Sequence, residues 1–175
     1  MRKDAPGFTL VECLAALAVA ATLCGLALPA MHDTLRRQRT ATALHLVSAQ
    51  LAQARMTAIM QRRPVTVCPS AGDGKCLGTP DWSGGWLLYR DPERRPQPDS
   101  GADILRDVRA PFAPQVRVFS SPGRLRIRYQ PDGRSAGSNI TLRVCNSGQL
   151  VGELTVNNVG RSRTRRISGN VPCPY

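Results

Sequence analysis

The segment from Phe8 to Met31 limits what this chain can become more than any other stretch. It is apolar apart from Thr9, Glu12 and Thr22, and as a helix it is long enough to cross a hydrocarbon core of about 30 Å. Arg2 and Lys3 precede it, so the positive-inside bias keeps Met1 to Gly7 in the cytoplasm and sends the remainder outward. A cleaved secretory signal ending near Leu28-Pro29-Ala30 and a plain signal anchor would share these features. Glu12 argues against both. A carboxylate at the bilayer centre costs about 2 to 3 kcal/mol or more, so an intramembrane acid normally has a partner or a task.

Beyond Met31 the helical pattern continues. Leu44, Val47, Leu51, Ala54 and Ala58 step by three and four residues, while Arg36, Arg37, Arg39, Gln50, Gln53 and Arg62 take other faces. Pro64 stops the helix, and Arg62 and Arg63 are expected in its last turn, where positive charge complements the dipole. From Val65 the period changes to two. The segments 65–67, 86–89, 116–119, 125–129, 140–144 and 154–156 read as strands bounded by Gly, Pro, Asn and Asp. The expected fold is therefore α+β: a long N-terminal helix, transmembrane in its first half, packed by its second half on an antiparallel sheet. Asn146-Ser147-Gly148 and Asn157-Asn158-Val159-Gly160 look like hairpin connections, and Asp91 to Gly101 reads as an exposed loop. With 175 residues, there is room for one ordinary soluble domain beside the N-terminal element, not two.

The six cysteines divide by context. Cys13 and Cys24 lie in the apolar segment and are simplest as small apolar residues. Cys68, Cys76, Cys145 and Cys173 lie in the polar remainder, on the exported side, where disulfides form. Four cysteines allow three connectivities. Pairing Cys68 with Cys76 would close a Gly-rich loop, and pairing Cys145 with Cys173 would tie the C-terminal tail to the sheet. Zinc is disfavoured, because these spacings do not resemble a ligand set and both histidines lie far upstream. His32 and His45 sit on the helix, away from any nucleophile or acid pair, and no arrangement of Ser, Cys, His and carboxylate meets the requirements of a catalytic site. No enzyme, cofactor or metal is expected.

Charge marks the other end of the chain. The formal net is +12, with 24 basic and 12 acidic residues, and only Lys3 and Lys75 among the basic ones are not Arg. Residues 1–104 carry a net of +3 and residues 105–175 a net of +9, so a polyanionic partner belongs with the C-terminal half. The run Gly160-Arg161-Ser162-Arg163-Thr164-Arg165-Arg166 concentrates it. As a strand, it would project Arg161, Arg163 and Arg165 from one face at intervals of about 7 Å. That is a ladder suited to bidentate phosphate contact. A solvated edge strand kept from aggregation by like charge is the plainer reading. Arg124, Arg126 and Arg128 alternate in the same way and form an auxiliary set.

Gly7-Phe8-Thr9-Leu10-Val11-Glu12 closely resembles the processing signal of type IV pilins and pseudopilins. Trp82-Ser83-Gly84-Gly85-Trp86 followed by Asp91 is similar to a segment of FimT/GspH-type minor pilins, although packing is the favoured role for these tryptophans. Gly160-Arg161-Ser162-Arg163 resembles the DNA-binding motif of the FimT branch, which serves DNA uptake in natural transformation. The resemblance implies cleavage by prepilin peptidase between Gly7 and Phe8, N-methylation of Phe8, and a kink at Pro29. It also implies that Glu12 pairs with the N-terminal amine of a neighbouring subunit. The implied organisation is a leader over 1–7, a transmembrane helix over 8–31, a periplasmic half-helix over 32–63 and a β-rich domain over 64–175. It implies delivery to the inner membrane and then to an extracellular pilus, near its tip, with other major and minor pilins as partners. DNA would be held by its backbone through Gly160, Arg161, Arg163, Arg165 and Arg166. The alternative is a structural minor pilin or type II secretion pseudopilin that primes filament assembly without touching DNA.

Overall fold

The computed structural model describes residues 9–174, apart from the side chains of Pro29, Ala30, His32 and Asp33. The expected cleavage and methylation positions, Gly7 and Phe8, lie outside the described residues, as do the side chains of Pro29 and His32. A single helix, α1 (Leu10–Gln61), opens the fold and runs through Pro29. Thr9 caps it: Glu12 Oε2 accepts from the Thr9 N–H and the Thr9 hydroxyl, both at 2.9 Å, while the Glu12 N–H donates to Thr9 Oγ1 at 3.3 Å. This is a reciprocal capping box that satisfies the first helical donors. The stretch Leu10–Leu28 is long and apolar enough to anchor in a membrane, and none of it is buried.

The helix ends in a Schellman turn. Arg62 adopts φ +50°, its N–H donates to Ile59 O, and the Arg63 N–H reaches Ala58 O, both at 3.3 Å. The two arginines thus lie just beyond the last turn rather than within it, and Arg62 fills a position usually given to glycine.

Contacts divide the chain between Gln38 and Arg39. The unit that begins at Arg39 contains the last part of α1 and two four-stranded antiparallel sheets, where one sheet was expected. The first sheet has the order β3-β2-β1-β5, from β1 (Val65–Pro69), β2 (Gly85–Arg90), β3 (Ile104–Arg109) and β5 (Ile127–Tyr129). The second has the order β4-β6-β7-β8, from β4 (Val116–Ser120), β6 (Ile140–Asn146), β7 (Gln149–Val156) and β8 (Ser162–Arg166). Ala43, Leu44, Val47, Leu51, Ala54 and Ala58 of α1 share one core with Val65 and Val67 of the first sheet and Leu142, Val144, Leu154 and Val156 of the second. The three-four stripe of α1 and the inward residues of both sheets meet there, as binary patterning requires.

The tryptophan-glycine segment joins the sheets. The Trp82 N–H donates to Val118 O of β4 at 2.8 Å, and Ser83 Oγ accepts from the Val118 N–H at 2.9 Å. Gly85 then opens β2 with φ +141°, where a Cβ would lie 2.1 Å from Val108 O, so only glycine lets β3 approach. Both tryptophans are fully buried and serve the core.

Asp91 departs from the exposed loop expected of it. It is buried, accepts from Thr66 Oγ1 at 2.6 Å and from the Arg95 N–H at 2.7 Å, and pairs with Arg128 Nε at 3.1 Å. A carboxylate so placed needs all of these partners to offset its desolvation. Disulfides join Cys68 to Cys76 and Cys145 to Cys173. The second holds the tail against β7, where the Leu150 N–H donates to Val171 O and the Cys173 N–H to Gly148 O.

Candidate functional site

The arginine run forms the outer edge of the second sheet. The turn before it is a type I turn with a glycine bulge: the Gly160 N–H donates to Asn157 O at 2.9 Å, and the Asn157 N–H to Arg161 O at 3.1 Å. Gly160 has φ +81°, and a Cβ on it would lie 2.0 Å from Gly133 O. Its lack of a side chain is therefore a packing requirement, which sets the register of everything after it. That register places Ser162 opposite Val156, Arg163 opposite Thr155, Thr164 opposite Leu154, Arg165 opposite Glu153 and Arg166 opposite Gly152.

Residues directly paired across strands share a face. Leu154 and Val156 are core residues, so Ser162, Thr164 and Arg166 lie on the helix side, and Arg163 and Arg165 on the outer face. Arg161 precedes the strand in the same alternation. The expected ladder is thus present in its parity. Arg166 is separated from it: together with Ala41, Leu44, His45, Ser48 and Thr164 it lines a cleft of about 350 Å³ beside α1.

The ladder is not uniformly free. Arg165 donates to Glu153 Oε2 at 2.7 Å, and the other oxygen of Glu153 lies 3.5 Å from Arg143 Nε. Glu153 is the middle of a cross-strand row, Phe119–Arg143–Glu153–Arg165, that crosses the whole sheet. It neutralises about one of the two positive charges beside it. Arg161 and Arg163 are exposed, and neither makes an ion pair among the described residues.

The auxiliary set is committed to the fold. Arg124 donates through Nε to Arg126 O at 3.2 Å and through Nη2 to Ser135 Oγ at 2.9 Å and to Ala136 O. Burial lowers the pKa of Arg124 from its ordinary value. Arg128 holds Asp91. Arg126 is half-buried beside them. Arg124 and Arg128 thus satisfy internal acceptors in place of forming an open surface.

Sequence alone carried no sign of Glu153 and Arg143, because their place beside Arg165 depends on strand register. It also missed Arg55, whose Nε donates to Gly133 O at 2.8 Å and which lines a second cleft with Arg161. The capping role of Glu12 was readable in Thr9-x-x-Glu12.

Residues 43–170 match the family model described as type II transport protein GspH. A search of the curated proteins found no match to the sequence. Among solved structures, the type IV minor pilin FimU of Pseudomonas aeruginosa (strain PAO1) is similar in two crystal forms. One shares 18% identity at a TM-score of 0.59 and covers 74% of this chain and 90% of FimU. The other shares 20% at a TM-score of 0.55 and covers 71% and 90%. At these identities the likeness is one of fold.

Proposed function

We propose, for a chain that belongs to the GspH family of type II transport proteins and has the fold of a type IV minor pilin, a role in binding extracellular DNA by its backbone for uptake in natural transformation. The observation that carries this reading is the exposed edge strand with Arg161 and Arg163 on its outer side, free of ionic partners among the described residues. Phosphate contacts from such an edge fix a strand in place and carry no base information, so binding is independent of sequence. Two engaged guanidinium groups give a log-log salt slope of about −2, and all four arginines of the run would give about −3.6. Individual binding is therefore weak, and repetition along a filament supplies avidity.

Delivery follows the pilin pattern in this reading. Prepilin peptidase cuts after Gly7, Phe8 becomes the N-methylated first residue, and the protein passes from the inner membrane into a pilus with other major and minor pilins, near the tip. Glu12 supports assembly: its capping bonds use Oε2, and Oε1 makes no hydrogen bond among the described residues. That oxygen is open to the amine of a neighbouring subunit, which would compensate both buried charges.

A second reading, a structural minor pilin or type II secretion pseudopilin without DNA contact, is favoured by the family's description and by the neutralisation of Arg165. The two separate in one experiment. Full-length protein in nonionic detergent is titrated with labelled DNA at low salt, beside an Arg161→Ala/Arg163→Ala variant of unchanged melting temperature. DNA binding by the parent and its loss in the variant support uptake. Absence of binding by the parent, or equal binding by both, leaves the structural role.

A further inference from the structure

The two clefts flanking β8 differ in chemistry, and the one at its start is built for an anion. It has a volume of about 240 Å³ and is lined by Leu51, Ala52 and Arg55 of α1, Tyr129 of β5, and Gly160, Arg161 and Ser162. This is below the range of roughly 300 to 1,000 Å³ typical of sites for whole small molecules, so it suits a single group. Arg55 is oriented by its Nε bond to Gly133 O. That bond uses one of the five guanidinium donors, and the Nη groups make no hydrogen bond among the described residues. Arg161 lines the rim of the cleft where the turn ends; its side chain starts on the outer face and is exposed, so it can reach the cleft only over the strand edge, and its backbone N–H donates to Asn157 Oδ1 at 2.9 Å.

Tyr129 gives an independent indication. Only 1% of its surface is exposed, the residue lines the cleft, and its hydroxyl makes no hydrogen bond among the described residues, which leaves a donor to offer there. The Ser162 hydroxyl is likewise unpartnered. Burial raises the pKa of Tyr129, with Arg55 and Arg124 opposing it, so the phenol stays protonated and available as a donor. Two arginines, a tyrosine and a serine line one cleft, with no carboxylate among its lining residues.

We infer that this cleft seats one backbone phosphate of the bound DNA, with Arg55 and Arg161 as its cationic clamps and Tyr129 and Ser162 as neutral donors. The inference rests on the DNA-binding reading and extends it: the binding path does not end at the edge strand but turns at Gly160 toward α1. Gly160 keeps this turn close enough to Gly133 for both arginines to serve one cleft, since a Cβ there would also come within 3.2 Å of Arg55 Nε.

The test uses full-length protein in nonionic detergent and labelled DNA, followed by anisotropy from about 50 to 200 mM salt. Arg55→Gln should weaken binding roughly tenfold at the lowest salt and flatten the salt slope by about 0.9, the signature of one lost phosphate charge contact. Tyr129→Phe should weaken binding about fivefold with the slope unchanged, because a neutral donor releases no counterion. Arg109→Gln, which removes the same charge from an exposed position on β3, should leave affinity within about twofold of the parent. If the parent binds DNA and Arg161→Ala/Arg163→Ala abolishes binding, while Arg55→Gln and Tyr129→Phe match the parent, the cleft is overturned and the ladder stands. Equal weakening by Arg55→Gln and Arg109→Gln also overturns it, as a general charge effect. A parent that fails to bind DNA removes the underlying reading. If inorganic phosphate then raises the melting temperature of the parent but not of Arg55→Gln, DNA is overturned as the occupant in favour of a free anion.

Discussion

On the DNA-binding reading proposed above, Glu153 should restrain the arginine edge while stabilising the fold, so Glu153→Gln should move stability and affinity in opposite directions. The side chain of Glu153 is 17% exposed and lies between Arg143, 29% exposed, and Arg165, 73% exposed. The Arg165 contact is largely solvated and contributes less than about 1 kcal/mol. The Arg143 contact is better shielded, and its loss leaves two guanidinium groups facing each other across β7. A net destabilisation of about 1 to 2 kcal/mol follows, which lowers the melting temperature by roughly 3 to 6 °C. Affinity should change the other way. Arg165, released from its carboxylate, can replace that contact with a phosphate and add about 0.9 to the steepness of the salt slope. One added contact strengthens binding roughly tenfold at about 50 mM salt, and that gain shrinks about 3.5-fold on going to about 200 mM. Anisotropy titrations at several salt concentrations, paired with thermal melts of the same samples, measure both effects. A lower melting temperature with unchanged affinity and slope would place Arg165 outside the phosphate path. A fall in affinity would mean that Glu153 positions the arginines and does not restrain them.

Three further outcomes are expected. Gly160→Ala forces a methyl group to within 2.0 Å of Gly133 O in a left-handed backbone conformation; the resulting strain should cost about 2 to 4 kcal/mol in urea denaturation and reduce DNA binding in protein that remains folded. Replacing both cysteines of the Cys145–Cys173 bridge, which spans 28 residues, should cost about 3.6 kcal/mol by loop entropy, against about 2.5 kcal/mol for the Cys68–Cys76 bridge spanning 8; denaturant midpoints of the two double variants check the order. Desolvation pushes the Asp81 carboxyl up, but hydrogen bonds from Ser83 and the Arg117 guanidinium outweigh it and hold the group below its ordinary range. A depressed carboxylate contributes stability above its unfolded pKa and loses it as pH falls through the folded value, so Asp81→Asn should flatten the decline in stability below about pH 4, read from urea midpoints across that range.

How much of this was legible in the sequence depends on whether a residue's role is set locally or by register. The stripe of α1 from Leu44 to Ala58 is local, and its positions are the buried ones. The third strand escaped notice because Leu105 is an extra residue opposite the Leu88–Tyr89 step, and a bulge destroys the alternation that marks a strand. The first half of β7 was hidden by Gly152, a core position left empty so that Leu44 can fill it; a Cβ there would lie 2.7 Å from Leu44 Cδ1. The arginine run was legible in parity, which separates Arg163 and Arg165 from Arg166. What parity leaves open is the residue opposite each arginine. The Asn157–Gly160 turn decides that, since it fixes Arg165 against Glu153 and Arg163 against Thr155. A slip of one residue would turn Arg163 and Arg165 toward α1 and bring Thr164 and Arg166 to the outer face. The charge available to a phosphate is therefore set as much by the glycine that holds the turn against Gly133 as by the arginines that follow it.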